Sequence, residues 1–353
     1  MLILINMMES TNKPFAYVTL LMCNPSYVYG SLTLAYSLRL TNTKHDIICM
    51  VTDDLYNIYK DVLQTVYDKV ISIKYLSYTG RLISQKQYDI YGDWYKYSYT
   101  KWVCLNLTEY AKICFLDSDL IIIRNIDDVF RLKTPAACFV NSWSEYGYNS
   151  INYYKNIKYG ELIPDSIIRK GLKDSFTLVA HCVILEPIED SINKFHRFMT
   201  SNQTNNDKCI SMLDEKAIAK FQLYIGNQWT QMSYQYNTIP WKMSKTNISI
   251  DADGKKIFNQ PYILHYFNKK KPWMTYRNDW IDLGVWWSYW DALNINIKNP
   301  LINDLDINIR KFSKDVKEDI CTYCIMLNNN GLNFNTDHTL INSTITCPQL
   351  LCV

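Results

Sequence analysis

The sequence predicts an α/β fold: one large domain with a mixed, mostly parallel sheet flanked by helices, then a small Trp-rich C-terminal cap. Three observations predict it. Short apolar runs of strand length alternate with helical patterns through the first two thirds of the chain, as parallel strands joined by crossover helices require. Of 353 residues, 48% are hydrophobic and 14% aromatic, enough for a large buried core. Near residue 275 the pattern gives way to a segment dense in tryptophan.

Phe15 to Met22 is uniformly apolar and reads as a buried strand. Asn24-Pro25 then supplies an N-cap and a proline at the first helical position, and Val28, Leu32, Ala35 and Leu38 recur on one helical face. His45 to Thr52 reads as a second strand, Val62 to Tyr67 as a helix and Lys69 to Ile73 as a third strand. Residues 76–97, polar and rich in tyrosine, read as a loop over a site, and Ser98 to Tyr110 as a helix. Ala111 to Leu116 is a buried strand running into Asp117-Ser118-Asp119, followed by an apolar run at Leu120 to Ile123, a turn at Asn125 to Asp128 and a strand at Ala136 to Val140. Val179 to Leu185 and Tyr262 to Phe267 read as later strands, with a helix over Glu189 to Met199. The expected units are a catalytic domain over 15–275, a cap over 276–310 carrying Trp280, Trp286, Trp287 and Trp290, and a polar, cysteine-containing tail over 311–353.

Composition narrows the function classes. Ten glycines and ten prolines are too few for a collagen-like or linker-rich chain. A net charge of +3 argues against nucleic acid as a main partner. Eleven cysteines, an odd number, lie without a framework, and Cys49, Cys104, Cys114 and Cys138 sit inside apolar runs, where free thiols pack as small hydrophobes. That pattern predicts a reducing compartment. No stretch reaches membrane-spanning length. The expectation is a soluble cytoplasmic protein. In the tail, Cys321, Cys324, Cys347, Cys352 and His338 have spacings that suit zinc but lack the usual tight turns.

The chemistry concentrates at two places. Asp117 and Asp119 stand at the carboxyl end of an apolar strand, where open α/β sheets bind ligands, and paired carboxylates there can hold a divalent ion beside phosphate oxygens. Read alone, the same triplet is a solvated turn. His265 ends a strand shortly before Lys271; imidazole suits a transition ion such as manganese, and a lysine suits a phosphate. Read alone, that histidine is a core residue.

Taken in order, these pieces resemble glycosyltransferase family 8, the glycogenin family. The resemblance runs through Ala16-Tyr17-Val18-Thr19-Leu20, Gly30-Ser31-Leu32, Val62 to Val70, Thr100-Lys101-Trp102, Tyr110 to Asp119, Asn125 to Phe130, Val183 to Pro187, Leu213-Asp214-Glu215, Tyr236-Asn237 and His265 to Trp273. The wording around Met212 to Glu215 and Ile239-Pro240-Trp241 is most similar to the glycogenin-like proteins of large DNA viruses, which would put the enzyme in the host cytoplasm. The resemblance implies a GT-A type fold and retaining transfer of a hexose, glucose first, from a UDP-sugar to a protein hydroxyl or a glycan. It implies Asp117, Asp119 and His265 as ligands of Mn2+, with Lys271 and Ser118 at the donor. Thr19, Leu20, Asn24 and Tyr27 would hold the nucleotide, Tyr27 with its ring on uracil, and Lys101 and Asp214 would lie beside the reacting sugar. A homodimer is compatible with it.

The chain departs from the family at three points. Val179-Ala180-His181 stands where relatives carry Asn-Ser-Gly or Asn-Ala-Gly; Glu215 stands where they carry glutamine; one extra residue lies between Leu20 and Tyr27. These leave the donor sugar open, and keep a binding protein with weakened turnover as an alternative. A sugar nucleotidyltransferase is disfavoured, because Leu21-Met22-Cys23-Asn24-Pro25 is no glycine-rich loop.

Overall fold

The structure is a computed structural model, and it describes residues 14–78, 92–139, 154, 156–173, 178–203, 214–240, 248–250, 256–258, 260–267, 271–274 and 283–310. In chain order the elements are β1 (Phe15–Leu21), α1 (Tyr27–Leu40), β2 (Asp46–Thr52), α2 (Asp53–Leu63), β3 (Lys69–Ile73), a long 3₁₀ segment (Gly92–Asn106), β4 (Lys112–Leu116) and β5 (Leu120–Ile122). They continue with a 3₁₀ turn (Asp127–Arg131), β6 (Ala136–Phe139), α3 (Asp165–Lys173), β7 (Leu178–Leu185), α4 (Ser191–Gln203), α5 (Asp214–Tyr224) and β8 (Thr230–Gln231). A second 3₁₀ turn (Tyr234–Tyr236), β9 (Ile248–Ile250), β10 (Lys256–Phe258), β11 (Ile263–His265), a third 3₁₀ turn (Pro272–Met274), α6 (Leu283–Asn296) and α7 (Pro300–Arg310) complete the order.

Seven strands form one sheet in the order β3-β2-β1-β4-β7-β6-β8. The pairs β1–β2, β1–β4, β2–β3 and β6–β8 are parallel, and β7 runs antiparallel to both its neighbours. The expected mixed, mostly parallel sheet is therefore borne out. Alternation along β1 divides the core: Tyr17 and Leu21 face the layer of α1 and the C-terminal helices, while Ala16, Val18 and Leu20 face the other layer. Strand order reverses at β1, since α1 leads to β2 on one side while β4 lies on the other. That crevice, at the carboxyl ends of β1 and β4, is where such sheets take ligands.

Several local expectations change. The cap of α1 is Ser26, not Asn24; the Asn24 side chain instead accepts from the Ser26 N–H at 3.0 Å and from its hydroxyl at 2.8 Å, closing a turn before the helix. Val28, Leu32, Ala35 and Leu38 are buried as expected. The second helix runs earlier than expected, Asp53–Leu63, because two acidic residues occupy its first turn and complement the helix dipole. Residues 92–97, read as loop, already belong to the 3₁₀ segment. Cys49, Cys104, Cys114 and Cys138 are buried free thiols. Among the described residues no helix is long and apolar enough to cross a membrane. Residues 79–91, Val140, Met212-Leu213, Trp241, Trp280 and the tail with its cysteines and His338 lie outside the described residues.

Two short pieces matter for the site. β11 pairs antiparallel with β5 in the register His265↔Leu120, so the strand end bearing the histidine lies across from the residue after Asp119. Gly30 lets α1 come close to the same turn. A Cβ there would run into the Ser118 carbonyl and stand 2.5 Å from the Trp273 ring. Behind Trp273, α6 packs Trp286 and Trp290 as a parallel pair, ring centroids 6.0 Å apart, and Trp273 meets Trp286 at 5.5 Å.

Candidate active site

Central strand β4 ends at Leu116, and the next three residues form the turn of the site. Asp117 donates its backbone N–H to the His181 carbonyl at 2.9 Å, and the Asp119 carbonyl accepts from the Tyr266 N–H at 2.9 Å. Ser118 faces inward between the two carboxylates. Its hydroxyl donates to the Leu20 carbonyl at 2.9 Å and lies 3.3 Å from the Ser31 hydroxyl and 3.5 Å from that of Thr19. Thr19, Leu20 and Ser118 therefore fasten β1 to the turn, with Tyr27 at the start of α1 beside it. Asn24 stands apart, exposed in its turn.

Each carboxylate has its own lysine. Lys101 lies 2.9 Å and 3.1 Å from the two oxygens of Asp117 and 3.4 Å from Asp214 on α5. Lys271, 152 positions along the chain from Asp119, reaches its Oδ2 at 2.5 Å and the Tyr266 carbonyl at 2.9 Å. Burial disfavours the Asp119 charge, yet Lys271 and His265 hold that carboxyl down at about 2. Burial, with Asp119 and Asp214 nearby, pushes Asp117 up to about 6 against the pull of Lys101. Burial also opposes the Lys101 charge, but Asp117 and Asp214 hold that ammonium above the usual lysine range. The shifts are opposed because burial prevails at Asp117, which shares Lys101 with Asp214, while Lys271 and His265 prevail over burial at Asp119.

His265, 4% exposed, presents Nδ1 to the Asn237 amide oxygen at 3.0 Å, and its Nε2 lies 3.7 Å from Asp119 Oδ1. With the amide oxygen accepting, Nδ1 carries the proton and Nε2 the lone pair. Burial and then the neighbouring His181 keep the His265 ring well below the usual histidine range, so it is neutral at pH 7. Sequence reasoning assigned no role to Asn237, although it lies within the resemblance, and treated His181 only as a departure. His181 lies with its ring flat against His265. Among the described residues, buried polar atoms without a hydrogen-bond partner include Asp119 Oδ1, Asp214 Oδ2, His181 Nδ1 and Asn237 Nδ2, all at this site. Such atoms are costly unless a ligand completes them.

Glu215, which stands where relatives carry glutamine, lies beside Asp214 at the start of α5. Burial first, then Asp214, pushes it up to about 8, which favours the protonated form, able to donate as well as accept. The Tyr27 phenol is likewise raised by burial and then by Asp119 and Asp117, which puts its hydroxyl in the field of the acidic pair.

The predicted site residues thus come together, Asn24 excepted. Among the described residues, however, no group of three or more His, Cys, Asp or Glu side chains converges as a metal cluster, because the lysines lie on the carboxylates.

The crevice at the switch point of the sheet gathers carboxylates and ammoniums, and in sequence the chain is similar to glycosyltransferases. No protein-family profile matches the chain. It is 28% identical over 276 residues to an uncharacterized protein of Acanthamoeba polyphaga mimivirus, covering 75% of this chain and 84% of that protein. It is 36% identical over 131 residues to UDP-glucuronate:xylan alpha-glucuronosyltransferase 2 of Arabidopsis thaliana, covering 37% of this chain and 21% of that enzyme. Human (Homo sapiens) glycogenin-1 is 30% identical over 132 residues, covering 37% of this chain and 36% of that protein. The resemblance is borne out: the relatives include glycogenin-1 and, separately, an uncharacterized mimivirus protein. The chain spans about a fifth of the xylan enzyme and about a third of glycogenin-1. Among solved structures, the glycosyltransferase GlyE of Streptococcus pneumoniae TIGR4 aligns at TM-score 0.45 and 16% identity, covering 84% of this chain and 64% of that one. An active-site mutant of LgtC aligns at TM-score 0.45 and 15% identity, covering 78% and 95%.

Proposed function

We propose that the chain is a retaining hexosyltransferase, moving a neutral hexose, glucose first, from a UDP-sugar to a hydroxyl of a protein or glycan with Mn2+ assistance. The observation that carries this reading is the gathering of Asp117, Asp119, His265, Lys101, Lys271 and Asp214 at the crevice between β1 and β4. Asp119 offers a buried carboxylate oxygen without a hydrogen-bond partner, facing an imidazole lone pair. That oxygen–nitrogen donor set fits manganese, with Asp117 as the further ligand once Lys101 yields it. When bound there, the ion supplies Lewis-acid neutralisation of the diphosphate.

The chain's own groups do the rest. As the bond between the anomeric carbon and the diphosphate oxygen breaks, negative charge grows on the leaving group and positive charge on the sugar. Lys271, held by Asp119 and the Tyr266 carbonyl, would supply its ammonium to a phosphate oxygen. Asp214, whose buried Oδ2 lies 3.4 Å from the Lys101 ammonium, would offer a carboxylate to the oxocarbenium-like sugar. Lys101 holds Asp117 and Asp214 in register. The Tyr27 ring provides an aromatic face for the base. The plant relative named above carries a UDP-glucuronate donor in its name. Beside Asp214 a sugar carboxylate would meet like charge, which supports a neutral hexose here.

A panel of UDP-sugars with Mn2+, read by UDP release and by transfer, tests the proposal. UDP-glucose is expected to turn over, chelation to stop it, and Asp119→Asn to lower turnover by about 100-fold or more. Tight binding of every donor with neither hydrolysis nor transfer would instead favour a nucleotide-sugar-binding protein. Val179, apolar where the resembling family has asparagine, is the observation on that side.

A further inference from the structure

His181 is 1% exposed and stands where the resembling family carries glycine, so its ring fills space that such relatives leave open. Three contacts tie it to three segments. Its carbonyl accepts from the Asp117 N–H at 2.9 Å, at the acidic turn. Its Nε2 donates to the Tyr236 carbonyl at 2.8 Å, in the turn that also carries Asn237. Its ring face lies against that of His265, with centroids 4.5 Å apart and planes 15° from parallel. The two constraints on His265 are thus complementary. The Asn237 oxygen selects which nitrogen bears the proton, and the His181 face sets the plane of the ring.

We propose that His181 is the positioning residue of this site, a rigid wall that keeps the His265 imidazole in the orientation whose Nε2 faces Asp119. Through that ring contact it acts on His265. The inference rests on the proposed reading of the site as a cation and diphosphate site, and it concerns only how one ligand of that site is held.

The test uses the full chain and Mn2+ alone as probe, titrated by electron paramagnetic resonance. It is joined by long-range 1H–15N spectra of the imidazoles in metal-free protein, which with five histidines are few enough to assign. His181→Gly is expected to weaken Mn2+ binding 10- to 100-fold, the usual cost of losing an outer-sphere support. It should also turn the His265 nitrogen pattern from a single Nδ1–H tautomer into an averaged one. His181→Phe keeps the ring face without its nitrogens and should retain most of the affinity and the single tautomer. It also serves as the informative variant should His181→Gly not fold. Wild-type affinity and an unchanged His265 pattern in His181→Gly overturn the inference, as does His181→Phe behaving like the glycine variant. Asp119→Asn separates the two readings. If it binds Mn2+ as wild type does, or if the wild type binds none, the cation site itself fails, and the metal-free spectra still decide whether His181 orders His265.

Discussion

At the residue scale, the site is governed by how few cations serve its carboxyl groups. Lys101 faces both Asp117 and Asp214, Lys101 and Lys216 both act on Glu215, and the carboxyl raised furthest of the three is Glu215. Its folded value, about 8, lies above its ordinary value, so the folded protein holds this proton more tightly than the unfolded chain does. Stability from this group is therefore greatest at low pH and is lost as pH rises from the ordinary glutamate range through about 8. Glu215→Gln removes that loss. Melting curves of wild type and variant should nearly coincide at mildly acidic pH, and the variant should melt several degrees higher on the alkaline side of 8. A difference that stays constant with pH would contradict the raised value. Asp119 works in the opposite direction: held down at about 2, it contributes stability above the usual carboxylate range that disappears as pH falls toward 2. Asp119→Asn should flatten that acid limb. The carboxylates and the lysines were legible in the sequence, because residue type and position at a strand end carry their chemistry. The protonation of Glu215 was not, since it depends on burial and on neighbours brought from elsewhere in the chain.

At the scale of elements, the site depends on close approach. α1 lies against the acidic turn only because Gly30 has no side chain, and the same spot receives the Trp273 ring. Gly30→Ala must push one of these away. It should cost about 1–3 kcal/mol, the usual range for overpacking, and lower turnover through displacement of Ser118 and its carboxylate neighbours. Denaturant midpoints and kcat measured together check this, and an alanine variant with wild-type values in both would show that the turn can yield freely. The sequence made β1, β2, β4 and β7 readable from their apolar runs, within a residue or so at each end. It misjudged the start of α1, because Asn24-Pro25 looks like a cap and is in fact a turn held by the Asn24 side chain. It also left 92–97 as loop, where polar and aromatic residues mask a helical stretch that packs against the sheet.

At the scale of the whole molecule, the C-terminal helices belong to the core beneath the site. Tyr27 meets the edge of Trp273 at 5.3 Å, Trp273 meets Trp286 at 5.5 Å, Trp286 stacks on Trp290, and Trp290 returns to Tyr29 on α1 at 5.5 Å. An aromatic column thus runs from the start of α1 into α6. Trp286→Ala should cost about 3–5 kcal/mol, as large-to-small changes in a packed core do. Tryptophan fluorescence and circular dichroism should report one shared unfolding transition in wild type. Two separated transitions would mean that the cap folds by itself. By itself the sequence determined the alternation of strands and helices, the acidic pair at the end of β4 and the order of the motifs, because each is written in adjacent residues and obeys a short period. Only the tertiary structure decided which distant groups meet: that β11 pairs with β5 and carries His265 to Asp119, that Lys101 is shared, and that His181 lies flat on His265. Those meetings are fixed by strand register and burial across long stretches of chain, and no local pattern of residues encodes them.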